Sequence, residues 1–466
     1  STLVSSWGRS LLPSGDILLY GCSVGQGQAG SEFIQQLSEI TGADVAASDN
    51  PTGSSDLGGD WILEVVTSSI ETQPFEELEV AVQFEGSLAI HVSAQATGNS
   101  DGTSWTDAYT DLQDALDAAV AGDEIFVAEG TYSPDQGDGI TPGDPNATFL
   151  LKDSVGVYGG FPSGGGSWVD RNPASHETIL NGRNLAYHVV TGSGTDESSV
   201  FDGFTITGGN APYLGGGMYN HLGSPIVRNC TFRDNSAGRW GGAVYNNLNS
   251  PVFINCAFLG NKASVGGGAM FNQNCAPRWF NMPNLVNCIF IENESWEYGG
   301  AVSNDSSDMR FSNCTFTRNF SLLGGGLNCQ GGDLTLENSI LWGNTASEGS
   351  QIAANHDIIK VSHSDLHGGL PGIHMSSGIM LAPSGNVIDL DPAFMGTNDL
   401  RLSHGSPCID AGNTSAVPRD IWDLDSDGNT TELTPSDLGY CRRLVNDLMT
   451  TDSGQADPPD YPVVVD

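Results

Sequence analysis

Positive charge is what this chain most lacks. Sixteen Lys and Arg stand against 56 Asp and Glu, a formal net charge of −40, and Lys occurs only at 152, 262 and 360. Such a surplus repels phosphate backbones and anionic lipid heads, which argues against nucleic acid and the membrane surface as partners. No apolar run approaches the ~20 residues that a membrane-crossing helix needs, so insertion is not expected. The chain opens at Ser1 with neither an initiator Met nor a signal-peptide pattern, and its start is expected to have been removed by processing or to lie outside this sequence. Nine cysteines, an odd number, give no small disulfide framework. What is abundant is Gly, at 61 residues, with only 15% charged residues; this composition describes a turn-rich β protein rather than a helical one.

The decisive feature is repetition. Cys230, Cys256, Cys288 and Cys314 recur at spacings of 26, 32 and 26, and Ser339 and Ser364 continue the row at 25 and 25. Asn229, Asn255, Asn287, Asn313 and Asn338 stand one residue before the members of that row; Asn235, Asn261, Asn293, Asn319 and Asn344 stand five after. Phe232, Phe258, Phe290, Phe316 and Leu341 form an apolar row two residues after it, and a Gly pair repeats from Gly215-Gly216 to Gly324-Gly325. About twenty-five residues with short strands and turn-forming corners make one coil of a parallel β-helix, whose coils stack at ~4.8 Å. Like residues then lie above one another, so Asn amides bond coil to coil while Phe and Cys fill the bore. Gly at the corners permits positive φ. The six extra residues of the long coil fall between Asn272 and Cys288, at an edge where solenoids place binding loops.

Ser104 to Leu116 reads as a capped amphipathic helix, with Leu112, Ala115, Leu116 and Ala119 on one face to close the bore. The first coil begins at Asp123-Glu-Ile-Phe-Val-Ala-Glu-Gly-Thr-Tyr. This stretch resembles the start of secreted bacterial pectate-lyase-like β-helix proteins, and Asn398 to Asn413 resembles their closing coil. The resemblance implies a right-handed parallel β-helix, mainly β, in an extracellular or cell-surface protein; it carries little about activity. Ahead of it, Asp16-Ile-Leu-Leu-Tyr-Gly-Cys, a helix from Glu32 to Thr41 and Gly58-Gly-Asp-Trp describe a small α/β unit. That unit resembles an uncharacterised domain of large bacterial surface proteins, itself similar to caspase-like cysteine peptidases. Their His-Gly partner has no counterpart before His91, so Cys22 is expected to be inert. Gly25-Gln-Gly27-Gln-Ala-Gly30, with Asp49 nineteen residues on, matches a dinucleotide-binding spacing, but a tight strand-to-helix loop accounts for it. The expected domains are 1–88, the α/β unit; 89–400, the β-helix with its capping helix; and 401–466, a closing coil and acidic tail.

Three function classes follow: a non-catalytic surface scaffold acting in adhesion or assembly, a carbohydrate-active enzyme, and a self-associating filament or sheath subunit. A lyase needs a base and cations arranged on neighbouring coils, whereas Arg228, Arg233, Arg239, Lys262, Arg278, Arg310 and Arg318 are scattered. Asp305 and Asp308 are the carboxylates a hydrolase would offer. Alternation with the inward row Met218, Val244 and Met270 points Tyr219, Tyr245 and Phe271 outward on three successive coils, with Trp240 and Trp279 nearby. These rings read as a stacking platform for carbohydrate or for a surface protein. His363 and His367 are four residues apart on a strand, roughly 13 Å, too far to share an ion. Cys275, Cys329, Cys408 and Cys441 lie outside the Cys row and are free to pair in an oxidising medium. Asp423, Asp425, Asp427, Asn429 and Glu432 present hard oxygen ligands at calcium-loop spacing, so calcium is the expected cofactor.

Overall fold

The structure, a computed structural model, describes residues 16–20, 24–50, 62–68, 70, 89–248, 250–275, 285–355, 358–376, 380–397, 399–409, 411–413 and 417–419. Near the N-terminus, strand Ile17–Leu19 runs parallel to Val45–Ala47, which pairs antiparallel with Val65–Val66. Helix α1, Gly27–Thr41, packs Ile34 and Leu37 onto Val45 and Ala47. A Cβ on Gly30 would lie 2.3 Å from the Gly25 carbonyl carbon, so this glycine is required by the close approach of helix and loop.

The rod begins at strand Ile90–Val92. Its strands pair parallel from coil to coil in files, and the register of the files is the sequence repeat itself. Phe232 pairs with Phe258, Phe258 with Phe290, Phe290 with Phe316 and Phe316 with Leu341. The four Phe rings are fully buried and stack at 5.2, 4.7 and 4.5 Å with planes within 6° of one another. Cys230, Cys256, Cys288 and Cys314 line the bore beside them as free thiols, each directing its Sγ to the carbonyl two residues earlier. Cys275, Cys329 and Cys408 are buried as well, while Cys22 and Cys441 lie outside the described residues.

Three Asn files run along the rod. In the first, Asn235, Asn261, Asn293 and Asn319 each donate Nδ2 to the next coil's Asn Oδ1. In the second, Asn220, Asn246 and Asn272 do the same. The third, Asn255, Asn287 and Asn313, donates in the opposite direction, to the coil before. Its members sit at φ of +51 to +56°, a left-handed conformation that Asn tolerates better than most residues. The Gly pairs serve two needs. Gly241 has φ +65°, whereas a Cβ on Gly242 would meet the Gly268 carbonyl oxygen at 2.2 Å.

Two sequence expectations meet the structure differently. The six-residue excess leaves the frame intact: Met270–Gln273 and Leu285–Val286 keep register with the coils before them, and 276–284 lie outside the described residues. The capping helix does not start at Ser104. Helix α2 spans Leu112–Ala118 and buries Leu112, Ala115 and Leu116. Residues 98–107 form a loop knotted by Asp107, whose Oδ1 accepts from the Asn99 N–H and whose own N–H donates to Ser104 Oγ. Short polar side chains that bond nearby backbone compete with helix in this way.

Candidate functional site

The outer face of the nine-stranded sheet holds the aromatic residues expected to point outward. His188, Tyr219, Tyr245 and Phe271 touch in file, at ring separations of 4.8, 5.6 and 5.8 Å. Trp240 closes on Phe271 at 4.4 Å and lies near-parallel to Tyr298 at 6.4 Å. It occupies room left by Gly266, whose Cβ would meet the indole at 2.7 Å. Burial corrects the expectation of an open platform. Tyr245 and Phe271 are only 6% and 4% exposed, and each ring packs its face on a neighbour one coil away, so the file has no free ring face between them. Trp279 lies outside the described residues.

Beside the rings runs a polar file: His221 Nδ1 lies 3.0 Å from Asn247 Oδ1, Asn247 Nδ2 donates to Gln273 Oε1 at 2.9 Å, and Gln273 Nε2 donates to Asp305 Oδ2 at 3.1 Å. Tyr245 Oη joins it, donating to Gln273 at 2.8 Å. All four members are half-buried. At the next position five successive coils turn through a left-handed residue: Leu222, Leu248, Asn274, Ser306 and Gly331, at φ +57, +54, +53, +53 and +94°. Leucine is the exception there. A branched apolar side chain at positive φ costs about 1–2 kcal/mol, and Leu222 and Leu248 remain 59% and 50% exposed, so burial offsets little of that cost.

A second cluster on the first coils has no counterpart in the sequence reading. Asp202 is buried and accepts from Arg171 at 2.5 Å, Arg228 at 2.6 Å and Asn229 at 3.0 Å. Burial alone would raise its pKa, but the two guanidiniums hold it below the usual carboxylate range. Arg171 also lies over the rings of Tyr158 and Trp168. Glu124 stands in register with Gly156, and the space a Gly156 Cβ would fill holds the Tyr158 hydroxyl, 2.6 Å away. Burial pushes the Glu124 carboxyl up to about 7, against the pull of Arg228. Glu124, Tyr158, Asp202 and Arg228 come from four successive coils of unequal length, so no fixed spacing marks them.

His367 stacks on Trp342 at 4.3 Å, and His363 sits at a strand irregularity with φ +45°. Asp308 accepts the Asp333 N–H. Among the described residues no group of three or more His, Cys, Asp or Glu is placed to hold a metal. The calcium-loop residues Asp423, Asp425, Asp427, Asn429 and Glu432 lie outside the described residues. No helix among the described residues is long and apolar enough to cross a membrane.

Residues 178–378 match the family model for a right handed beta helix region, and residues 1–88 match a domain of unknown function, DUF4347. No curated protein matches the chain. Pectate lyase Pel9A is similar in its crystal structure, with a TM-score of 0.40 and 13% identity over 70% of this chain and 92% of that one. The rod is thus a right-handed parallel β-helix, mainly β, carried behind a small N-terminal region of few strands.

Proposed function

We propose that this chain is a non-catalytic extracellular scaffold, a rod that attaches to a surface component along one flank and serves adhesion or surface assembly. The observation that carries the reading is the pair Leu222 and Leu248, apolar, exposed and held at positive φ. Residues kept in a costly conformation without burial point to a partner rather than to folding. Trp296, 67% exposed, adds apolar surface at another corner of the rod. In this reading a calcium ion held by the acidic tail stabilises the C-terminal end. The test is attachment of fluorescently labelled protein to bacterial cell envelopes. Wild type should be retained and a Leu222→Asp/Leu248→Asp variant released, with unchanged melting temperature. Release of reducing ends or unsaturated products from polysaccharides by the wild type would overturn the non-catalytic reading.

A second reading, a carbohydrate-active enzyme, is favoured by Glu124 and Asp202, two carboxyls whose surroundings drive their pKa values apart as in acid–base pairs. Activity on a polysaccharide panel, lost in Glu124→Gln, would support it.

A further inference from the structure

We infer that the segment from Leu390 to Asn413 is a releasable strap on the C-terminal flank of the rod, and that Asn338 is its two-position latch. The side chain of Asn338 bonds the strap when it is closed and returns to the Asn file when it opens.

The first ground is a broken file. From Asn255 to Asn313 each member of the third Asn file donates its Nδ2 to the Asn Oδ1 one coil earlier. Asn338 is the next member: it stacks on Asn313 in unbroken register and has the same left-handed backbone, at φ +48° against +56°. Yet its Nδ2 turns away and donates to the Asn413 carbonyl at 3.0 Å, while its Oδ1 accepts the Asn413 N–H at 2.8 Å. The Asn313 Oδ1 is left buried with no hydrogen-bond partner. A buried orphan of this kind calls for an explanation, and a second position of the Asn338 amide supplies one. On the coil after Asn338 the same place in the file is taken by His363, so the file ends at the residue that holds the strap.

The second ground is the strap's own construction. It leaves the last strand of the rod, Met380–Ile388, and bonds to itself: Phe394 bridges antiparallel to Leu402, and Ser406 Oγ donates to the Pro392 carbonyl at 2.7 Å. Asp365 grips both sides of this loop, its Oδ1 accepting the Leu390 N–H at 3.3 Å and its Oδ2 the Cys408 thiol at 3.2 Å. A segment with internal bonds of its own can lift as a unit while the strand ladder beneath it stays whole.

The third ground is the balance of bonds at the latch. Closing makes two hydrogen bonds between Asn338 and Asn413, and opening returns one to Asn313. The latch therefore holds by a margin of one hydrogen bond, roughly a factor of ten. Opening bares Asp365 and the Cys408 thiol, both buried under the closed strap.

The experiment is native-state labelling of the intact chain with N-ethylmaleimide along a urea series, followed by denaturation, digestion and mass spectrometry. Trypsin cuts after Arg401 and Arg419, which isolates Cys408 as the one thiol of its peptide. In the wild type Cys408 should be modified at urea concentrations that leave Cys230, Cys256, Cys288 and Cys314 untouched. Two variants then separate the latch from general loosening, and Gly is chosen because it accepts the positive φ at both positions. Asn338→Gly removes two bonds from the closed state and one from the open state, so Cys408 should react roughly tenfold faster. Asn313→Gly removes the acceptor that only the open state uses, so Cys408 should react roughly tenfold more slowly. Unmodified bore thiols report that each variant has kept its rod, and the wild-type series needs no variant. Modification of Cys408 only in step with the bore thiols would overturn the strap. A Cys408 rate in Asn313→Gly equal to or above that of the wild type would overturn the latch.

Discussion

The side-chain oxygen of Asn293 accepts two hydrogen bonds from Asn261, one from its backbone N–H and one from its Nδ2, both at 3.0 Å. Asn293 in turn donates its Nδ2 to Asn319 and to the Phe258 carbonyl. Asn293→Ala leaves two buried donors of Asn261 without an acceptor, and each such orphan costs about 1–3 kcal/mol. A large fall in the urea midpoint is expected. Asn293→Asp keeps the acceptor but buries a charge and removes the donor, so its deficit should shrink as acid protonates the new carboxyl. A deficit that does not change with pH would contradict this account.

Phe258 tests the bore. Its ring is stacked between Phe232 and Phe290, and Phe258→Ala should cost about 3–5 kcal/mol by chemical denaturation. Phe258→Leu should cost much less, because Leu341 already occupies the same file.

Glu124 and Asp202 make opposite predictions for pH. The Glu124 carboxyl is raised to about 7 in the fold from an unfolded value of about 4.3. Between these values the folded chain holds the extra proton, so the contribution to stability falls as pH rises through the window and is level above it. Glu124→Gln should therefore raise the urea midpoint near about pH 8 and leave it almost unchanged near about pH 4. Asp202 is depressed by its two arginines; its contribution is present above the unfolded value and is lost as pH falls through the folded one. Asp202→Asn should remove that loss.

Calcium is tested on the whole chain. If the oxygen ligands from Asp423 to Glu432 bind the ion at the ~10⁻⁴–10⁻³ M typical of extracellular sites, chelator should lower the melting temperature and millimolar calcium restore it. Asp425→Ala should abolish the response. A melting curve indifferent to chelator would end the calcium proposal.

Most of the rod was readable because one residue type recurs where one kind of bond is made. The Cys, Phe and Asn rows translate directly into strand register from Phe232 to Leu341. The first coils were not readable in this way. There the chain leaves the file for a loop between Phe161 and Thr178, which separates Arg171 from the residues it bonds. The ring positions were legible as outward-facing, but their loss of free faces was not. Rings one strand spacing apart must lie on each other, and Trp240 covers the last through the gap at Gly266. The exposed leucines left a usable signal: an apolar residue at a corner where later coils place Asn274, Ser306 and Gly331.

The Asn files give the rod a modular grammar of descent. Each interior coil hands one amide proton on and receives one, so a whole coil copied in tandem arrives with its valences matched and a deleted one leaves none open. A fragment of a coil has no such neutrality unless it enters where no file passes. The long coil obeys this rule: its surplus lies between Gln273 and Leu285, outside the bonded rows. Rods of this kind can therefore lengthen by duplication of coils and diversify by insertion at corners, two independent routes of change within one gene.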